Sequence, residues 1–156
     1  MKIGIIVYSE TGHTLEVATR LQVKLAKWGH AAAIERIAAD AVAPGQLPNL
    51  LHAPSVAAFD TLVFAGHVQA FSLAPAMKAY LSQLDSLNGK RTACVLTQHF
   101  KHAWLGGNRA MKQMIQAVEG KGGVCLGSGI VHWSAKDREA QIETVCDLIV
   151  ASLGKA

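Results

Sequence analysis

Apolar and polar positions alternate along this chain in two periods. Ile3-Gly4-Ile5-Ile6-Val7 is a short run rich in Ile and Val that stops at Ser9, the pattern of a strand buried on both faces. From about His13 to Trp28 the period changes. Val17, Leu21, Leu25 and Trp28 share one helical face, and Glu16, Arg20, Lys24 and Lys27 share another. Gly29 ends that helix, and the alanine-rich stretch His30–Ile37 predicts a second strand. Residues 38–59 are broken by Pro44, Gly45, Pro48 and Pro54, with a short helix expected near Leu47–His52. Leu47, Leu50, Leu51, Val56 and Phe59 are expected to need cover there.

The alternation then repeats. Asp60–Gly66 predicts a third strand, followed by a loop from His67 to Ser72. Pro75 suits a first helical turn, and Met77, Tyr80, Leu81 and Leu84 mark the helix. Arg91–Thr97 predicts a fourth strand, and the loop Gln98–Gly107 leads to Asn108 as a candidate N-cap. Met111, Met114, Ile115 and Val118 give the next helix its inner face, closed by Gly120, Gly122 and Gly123. Val124–Val131 predicts a fifth strand, and Ile142, Val145, Cys146, Ile149 and Leu153 a last helix. Five β-α units demand a parallel sheet covered on both faces. The 156 residues fit one such domain, with no internal repeat and no domain boundary.

Composition narrows the class. About half of the residues are apolar and 17% are charged, as in a packed globule. No apolar run reaches about 18 residues, so no membrane span is expected. Met1-Lys2 leads directly into the first strand, so no signal peptide is expected. Cys94, Cys125 and Cys146 are widely spaced with no Cys-x-x-Cys, and read as buried reduced thiols of a cytoplasmic protein. The net charge of +4 is uneven: residues 86–122 hold Lys90, Arg91, Lys101, Arg109, Lys112 and Lys121 against Glu119 alone. These cations are scattered and lack interleaved stacking aromatics, which argues against nucleic acid.

The chemistry concentrates at Ser9-Glu10-Thr11-Gly12-His13-Thr14. A strand that enters a helix through Ser-x-Thr-Gly-x-Thr gathers three hydroxyls and several open amides at a helix N-terminus, a setting for a phosphate. There is no Lys for a nucleoside-triphosphate loop, and the three glycines of a dinucleotide fingerprint are missing. The plainer alternative is a turn in which Thr11 or a neighbour caps the helix. Other sites lack support. The histidines show no metal spacing, no Gly-x-Ser-x-Gly elbow occurs, and Tyr8-Ser9 and Gly66-His67 stand where a receiver domain needs acidic residues.

Placed directly after the first strand, residues 9–14 resemble the phosphate loop of flavodoxins, which wraps the terminal phosphate of flavin mononucleotide (FMN). The resemblance covers the whole chain in element order. It implies an α/β three-layer sandwich with a five-stranded parallel sheet of order 2-1-3-4-5 and a ligand at the carboxyl ends of the strands. By position, His67-Val68-Gln69-Ala70-Phe71 would wall one face of the flavin ring. Thr97-Gln98-His99 and the run to Trp104-Leu105-Gly106 would wall the other. Many flavodoxins place an aromatic where Gln69 stands; Phe71, two residues on, takes that role or else packs in the core. Trp104 covers either the ring or the sheet end, and His99 and His102 either adjoin the flavin or are solvated.

The resemblance implies a noncovalent FMN carrier working between redox partner proteins or small-molecule acceptors. Basic His99, Lys101, His102, Arg109 and Lys112 depart from the acidic surround of low-potential flavodoxins and imply a higher reduction potential. That favours a second reading, an FMN-dependent NAD(P)H:quinone oxidoreductase; flavin reductases of this fold often pair as homodimers. The third reading is a flavin-free interaction domain.

Overall fold

Alternate residues of β1 (Lys2–Val7) serve two different cores. Ile3, Ile5 and Val7 enter one buried cluster and Ile6 enters the other, while Gly4 lies flat under the Phe59 ring. A strand flanked in this way must sit inside a sheet with helices on both faces. In this computed structural model, which describes residues 1–154, β1 pairs in parallel with β2 (Ala31–Arg36) and with β5 (Thr61–Gln69). β7 (Arg91–Gln98) and β8 (Val124–His132) extend the sheet in the order β2-β1-β5-β7-β8, all parallel. The five principal strands therefore take the order 2-1-3-4-5 expected from the sequence.

Helices α1 (His13–Lys27) and α4 (Arg138–Leu153) cover one face through Val17, Leu21, Leu25, Ile142, Cys146 and Ile149. Helices α2 (Pro75–Gln83) and α3 (Gly107–Gly120) cover the other through Met77, Tyr80, Leu81, Met114 and Val118. Side chains this fully buried contribute about 1.5–3 kcal/mol each, which makes the two cores the main source of stability. No helix among the described residues is long and apolar enough to cross a membrane.

The structure corrects four local readings. The segment Leu47–His52 is not helical: β4 (Leu50–His52) pairs antiparallel with β3 (Ala38–Ala39). The Asp40 carboxylate accepts from the Asn49 backbone at 2.8 Å and its side chain at 3.1 Å, and this clasp fixes an extended return. Leu47 and Leu51 are exposed there, at 61% and 71%, while Leu50, Val56 and Phe59 find cover. The expected loop after the third strand is mostly strand, because β5 runs on to Gln69 and folds back as β6 (Ser72–Leu73). The N-cap of α3 is Gly106, not Asn108, which lies inside the helix. Of the cysteines, Cys94 and Cys146 are buried but Cys125 is only partly so.

Candidate functional site

At the carboxyl end of the sheet the chain leaves β1 toward one face and β5 toward the other. This divergence opens a crevice between the two strands. The loop that follows β1 is held by its own first residue. Ser9 Oγ accepts the amide of Gly12 at 3.1 Å and that of Leu15 at 3.4 Å. Ser9, not Thr11, thus does the capping. Gly12 is the N-cap of α1 in the left-handed region (φ 90°), with nothing within 4 Å of where a Cβ would stand. The first intrahelical bond runs from the Glu16 amide to the Gly12 carbonyl, so the amides of His13 and Thr14 have no partner inside the helix. Glu10 and Thr11 are exposed.

Thr14 faces inward. It is 1% exposed, and its hydroxyl meets that of Thr97 at 2.8 Å and lies 3.5 Å from the Gly66 carbonyl. The hydroxyl therefore joins α1 to the ends of β5 and β7, while the Thr14 amide stays at the open end of the helix.

Tyr8, Glu10 and His67 form a second cluster. The Tyr8 hydroxyl donates to Glu10 at 3.0 Å, and the Tyr8 and His67 rings stack at 5.5 Å. His67 Nε2 lies 4.0 Å from the Glu10 carboxylate. Burial pushes the His67 pKa down, and the Glu10 charge opposes that shift. Burial, then the hydrogen bond to Glu10, pushes the Tyr8 pKa up to about 12. Beside this cluster Tyr8, Glu10, Asp40, Gln69 and Pro75 enclose a cavity of about 140 Å³, room for water and below the size of a cofactor pocket.

Val68 is half-buried, and Gln69, Ala70 and Phe71 are exposed at the tip of the β5–β6 hairpin. Ala70 (φ 49°) and Phe71 (φ 60°) both adopt left-handed backbone, a two-residue turn that normally calls for Asn or Gly. Strain of this kind, of order 1–3 kcal/mol per residue, persists only where surrounding structure imposes it. Gly106 packs closely on this turn: a Cβ on Gly106 would stand 2.6 Å from Phe71 Cα. Phe71, 54% exposed, is not a core residue; its ring stacks on that of Phe100 at 6.0 Å.

The loop after β7 is anchored at both ends. Gln98 is buried, and its Nε2 donates to the Leu105 carbonyl at 2.7 Å. Thr97 and Gln98 are both buried at the root of the loop. The Trp133 amide donates to the Gln98 carbonyl at 2.7 Å, and the His132 ring nitrogen Nδ1 meets the Phe100 carbonyl at 2.9 Å. His99 stands edge-on to Phe100, and His102 stacks on Trp104, which is 73% exposed.

Trp133, just past the fifth strand, belongs to this edge and carried no expectation from the sequence. His13 stacks on it at 4.1 Å, and the Arg138 guanidinium lies over it at 4.6 Å. The available signal was an aromatic next to the carboxyl end of a strand. Tyr8, just past β1, offered the same signal.

No protein-family model matches this chain, and no curated protein matches it by sequence. Solved structures do match it in shape. A cysteine-to-serine variant of the flavodoxin from Pseudomonas aeruginosa superposes with a TM-score of 0.70 at 17% identity, covering 98% of this chain and 99% of its own. The flavodoxin of Streptococcus pneumoniae gives 0.68 at 16%, covering 97% and 99%. A flavoprotein in complex with FMN from Lactobacillus acidophilus gives 0.62 at 12%, covering 92% and 97%. The chain therefore has the flavodoxin-like fold over its whole described length.

Proposed function

We propose that this chain binds FMN without a covalent bond at the carboxyl edge of its sheet and passes electrons through it. The observation that carries this reading is the open N-terminus of α1. Unpaired first-turn amides at His13 and Thr14, and free space at Gly12, stand next to the exposed hydroxyl residue Thr11. That donor set suits a dianionic phosphate. The exposed aromatics Phe71, Phe100 and Trp104 at the same edge suit a flat apolar ring. Phe71 and Phe100 lie too close for a ring to enter between them, since two stacking gaps need about 7 Å. A flavin ring would lie beside that pair and against Trp104. Bound FMN supplies reversible one- and two-electron transfer; the chain's part is to bind and orient it and to set its potential.

The exposed cations Lys101, Arg109 and Lys112 engage in no ion pair among the described residues, whereas Arg20 and Lys24 are paired with acids of α4. Free positive charge beside a reduced flavin stabilises its anion and raises the potential. This supports the second reading, an FMN-dependent NAD(P)H:quinone oxidoreductase. Its partners would be small-molecule acceptors; those of a carrier would be redox proteins.

An absorbance titration of the purified chain with FMN tests the reading. A perturbed flavin spectrum with saturable binding is expected, weakened at least about tenfold in Ser9→Ala/Thr11→Ala. Absence of binding at micromolar FMN would leave the flavin-free domain as the function. Steady NAD(P)H oxidation by the loaded protein alone would select the enzyme over the carrier.

A further inference from the structure

The sheet has two outer strands, and only one of them is guarded. β2 carries Glu35 and Arg36, and its Ala32 carbonyl accepts from Gln22 Nε2 at 2.9 Å. Charges of this kind keep a sheet edge from pairing with another chain. β8, at the opposite edge, holds no acid, no Lys or Arg and no Pro over its nine residues. A bulge at Leu126 disturbs its first part, where Cys125 faces Thr92 and Gly127 already faces Ala93. Beyond the bulge the ladder to β7 is regular from Gly127 to His132. Val124 and Leu126 remain exposed on β8, at 47% and 41%.

The outer side of that regular stretch offers an open ladder. Just past β8, the Trp133 amide donates inward to the Gln98 carbonyl at 2.7 Å. Backbone groups alternate sides along a parallel strand, so Val131 and Gly129 also turn inward, while Ile130 and Ser128 turn their N–H and C=O outward. The amide of His132, the next outward residue, is taken by Gln141 Oε1 at 2.8 Å, which closes the carboxyl end of the edge. The open positions are therefore Ser128 and Ile130. Beside them a cleft of about 550 Å³ runs between α3 and β8. Met111, Ile115 and Ile130 make it apolar, and exposed Lys112 is the one charged residue of its lining among the described residues.

We propose that this edge takes an extended segment of a partner protein as an added strand, with an apolar side chain in the cleft and an acidic one facing Lys112. Main-chain bonds to Ser128 and Ile130 supply affinity, and the cleft and the cation supply selectivity. Alternate side chains of an added strand share the face of Ile130, so they meet the cleft at a two-residue spacing. The charge at the cleft is positive and uncompensated, which favours a carboxylate. A second copy of this chain does not fit the edge. α4 lies directly over β8: a Cβ on Gly127 would collide with Ser152, and one on Gly129 would stand 2.8 Å from Val145. Pairing two β8 strands about a twofold axis would set their α4 helices about 5 Å apart, one strand spacing, whereas packed helices need about 8–10 Å. A single strand carries no such helix. The surface lies on the flank of the sheet, so the proposal stands apart from flavin binding.

The test is an NMR titration of the full, isotope-labelled chain, with and without FMN, using a capped seven-residue peptide in which valine alternates with threonine and glutamate. Saturable shifts are expected at residues 127–131 and along α3, with amide exchange at Ser128 and Ile130 slowed at least about tenfold. Ser128→Pro removes an outward donor at an edge position that tolerates proline, so the fold should persist and the peptide should no longer bind. N-methylation of the peptide on its pairing side, which leaves the chain untouched, should abolish binding as well. Lys112→Glu should weaken binding about two- to fivefold. No shift at about 1 mM peptide, the floor of measurable affinity, would overturn the proposal. So would shifts confined to the carboxyl edge, binding unaltered by the N-methyl groups, or a dimer of this chain joined through β8.

Discussion

The hydroxyls of Thr14 and Thr97 meet at 2.8 Å, both residues being nearly fully buried, and this bond ties the loop after β1 to the root of the loop after β7. Thr97→Val should cost about 1–2 kcal/mol, the ordinary loss for a buried hydrogen bond when one partner keeps another acceptor. Thr14 keeps the Gly66 carbonyl at 3.5 Å. Thr14→Val/Thr97→Val should cost less than the sum of the single changes, because each single change already removes the shared bond. Urea unfolding of the four proteins measures the cycle; strict additivity would mean that the bond carries no coupling.

Gly106 and Gly12 are both left-handed caps, yet only one is confined. A Cβ on Gly106 would meet the Phe71 backbone at 2.6 Å, and one on Gly12 would meet nothing within 4 Å. Gly12→Ala should therefore cost only the conformational strain, about 1 kcal/mol. Gly106→Ala should cost at least about 2 kcal/mol and separate the hairpin turn from the start of α3. Chemical denaturation compares the two directly, and equal costs would show that the contact between Gly106 and Phe71 yields freely.

What the sequence disclosed follows from what local patterns encode. The buried strands announce themselves as apolar runs, so the central strands were legible from Ile3–Val7, Leu62–Ala65 and Ala93–Leu96, while their order followed from the flavodoxin resemblance. The β5–β6 hairpin was not, because its turn uses Ala70 and Phe71 in place of the Asn or Gly that marks such turns. The β3–β4 pair is two and three residues long, too short for any period. Within the site, the hexapeptide was legible as a loop at a helix start. The assignment of its hydroxyls was not: Ser9 caps and Thr14 turns inward to a partner 83 residues away. Trp133 joined the edge only through its contacts with His13 and Arg138.

Trp104 separates stability from binding. It is 73% exposed and touches the His102 ring, so Trp104→Ala should change unfolding free energy by no more than about 0.5 kcal/mol. If the flavin ring lies against it, the same change should weaken FMN affinity by about tenfold or more and release flavin fluorescence that the indole otherwise quenches. Unchanged affinity and fluorescence would move the ring's resting place to another wall.

The partly buried His67 sets a pH dependence whose sign is fixed by its surroundings. Burial lowers its pKa, which outweighs the raising effects of Glu10, the Tyr8 backbone and the Gln69 side chain; charge on His13 adds to the lowering. The unfolded chain, with His67 near about 6.5, therefore binds a proton before the folded chain does. Stability is fully present above that value and is lost as pH falls through 6.5 toward the folded pKa, below which this contribution is flat. Thermal unfolding followed from pH 8 to pH 5 should show the decline, and His67→Gln should flatten it. Glu10→Gln should deepen it, since removing the carboxylate takes away the charge that favours the protonated ring. A decline that persists unchanged in His67→Gln would assign it to another group.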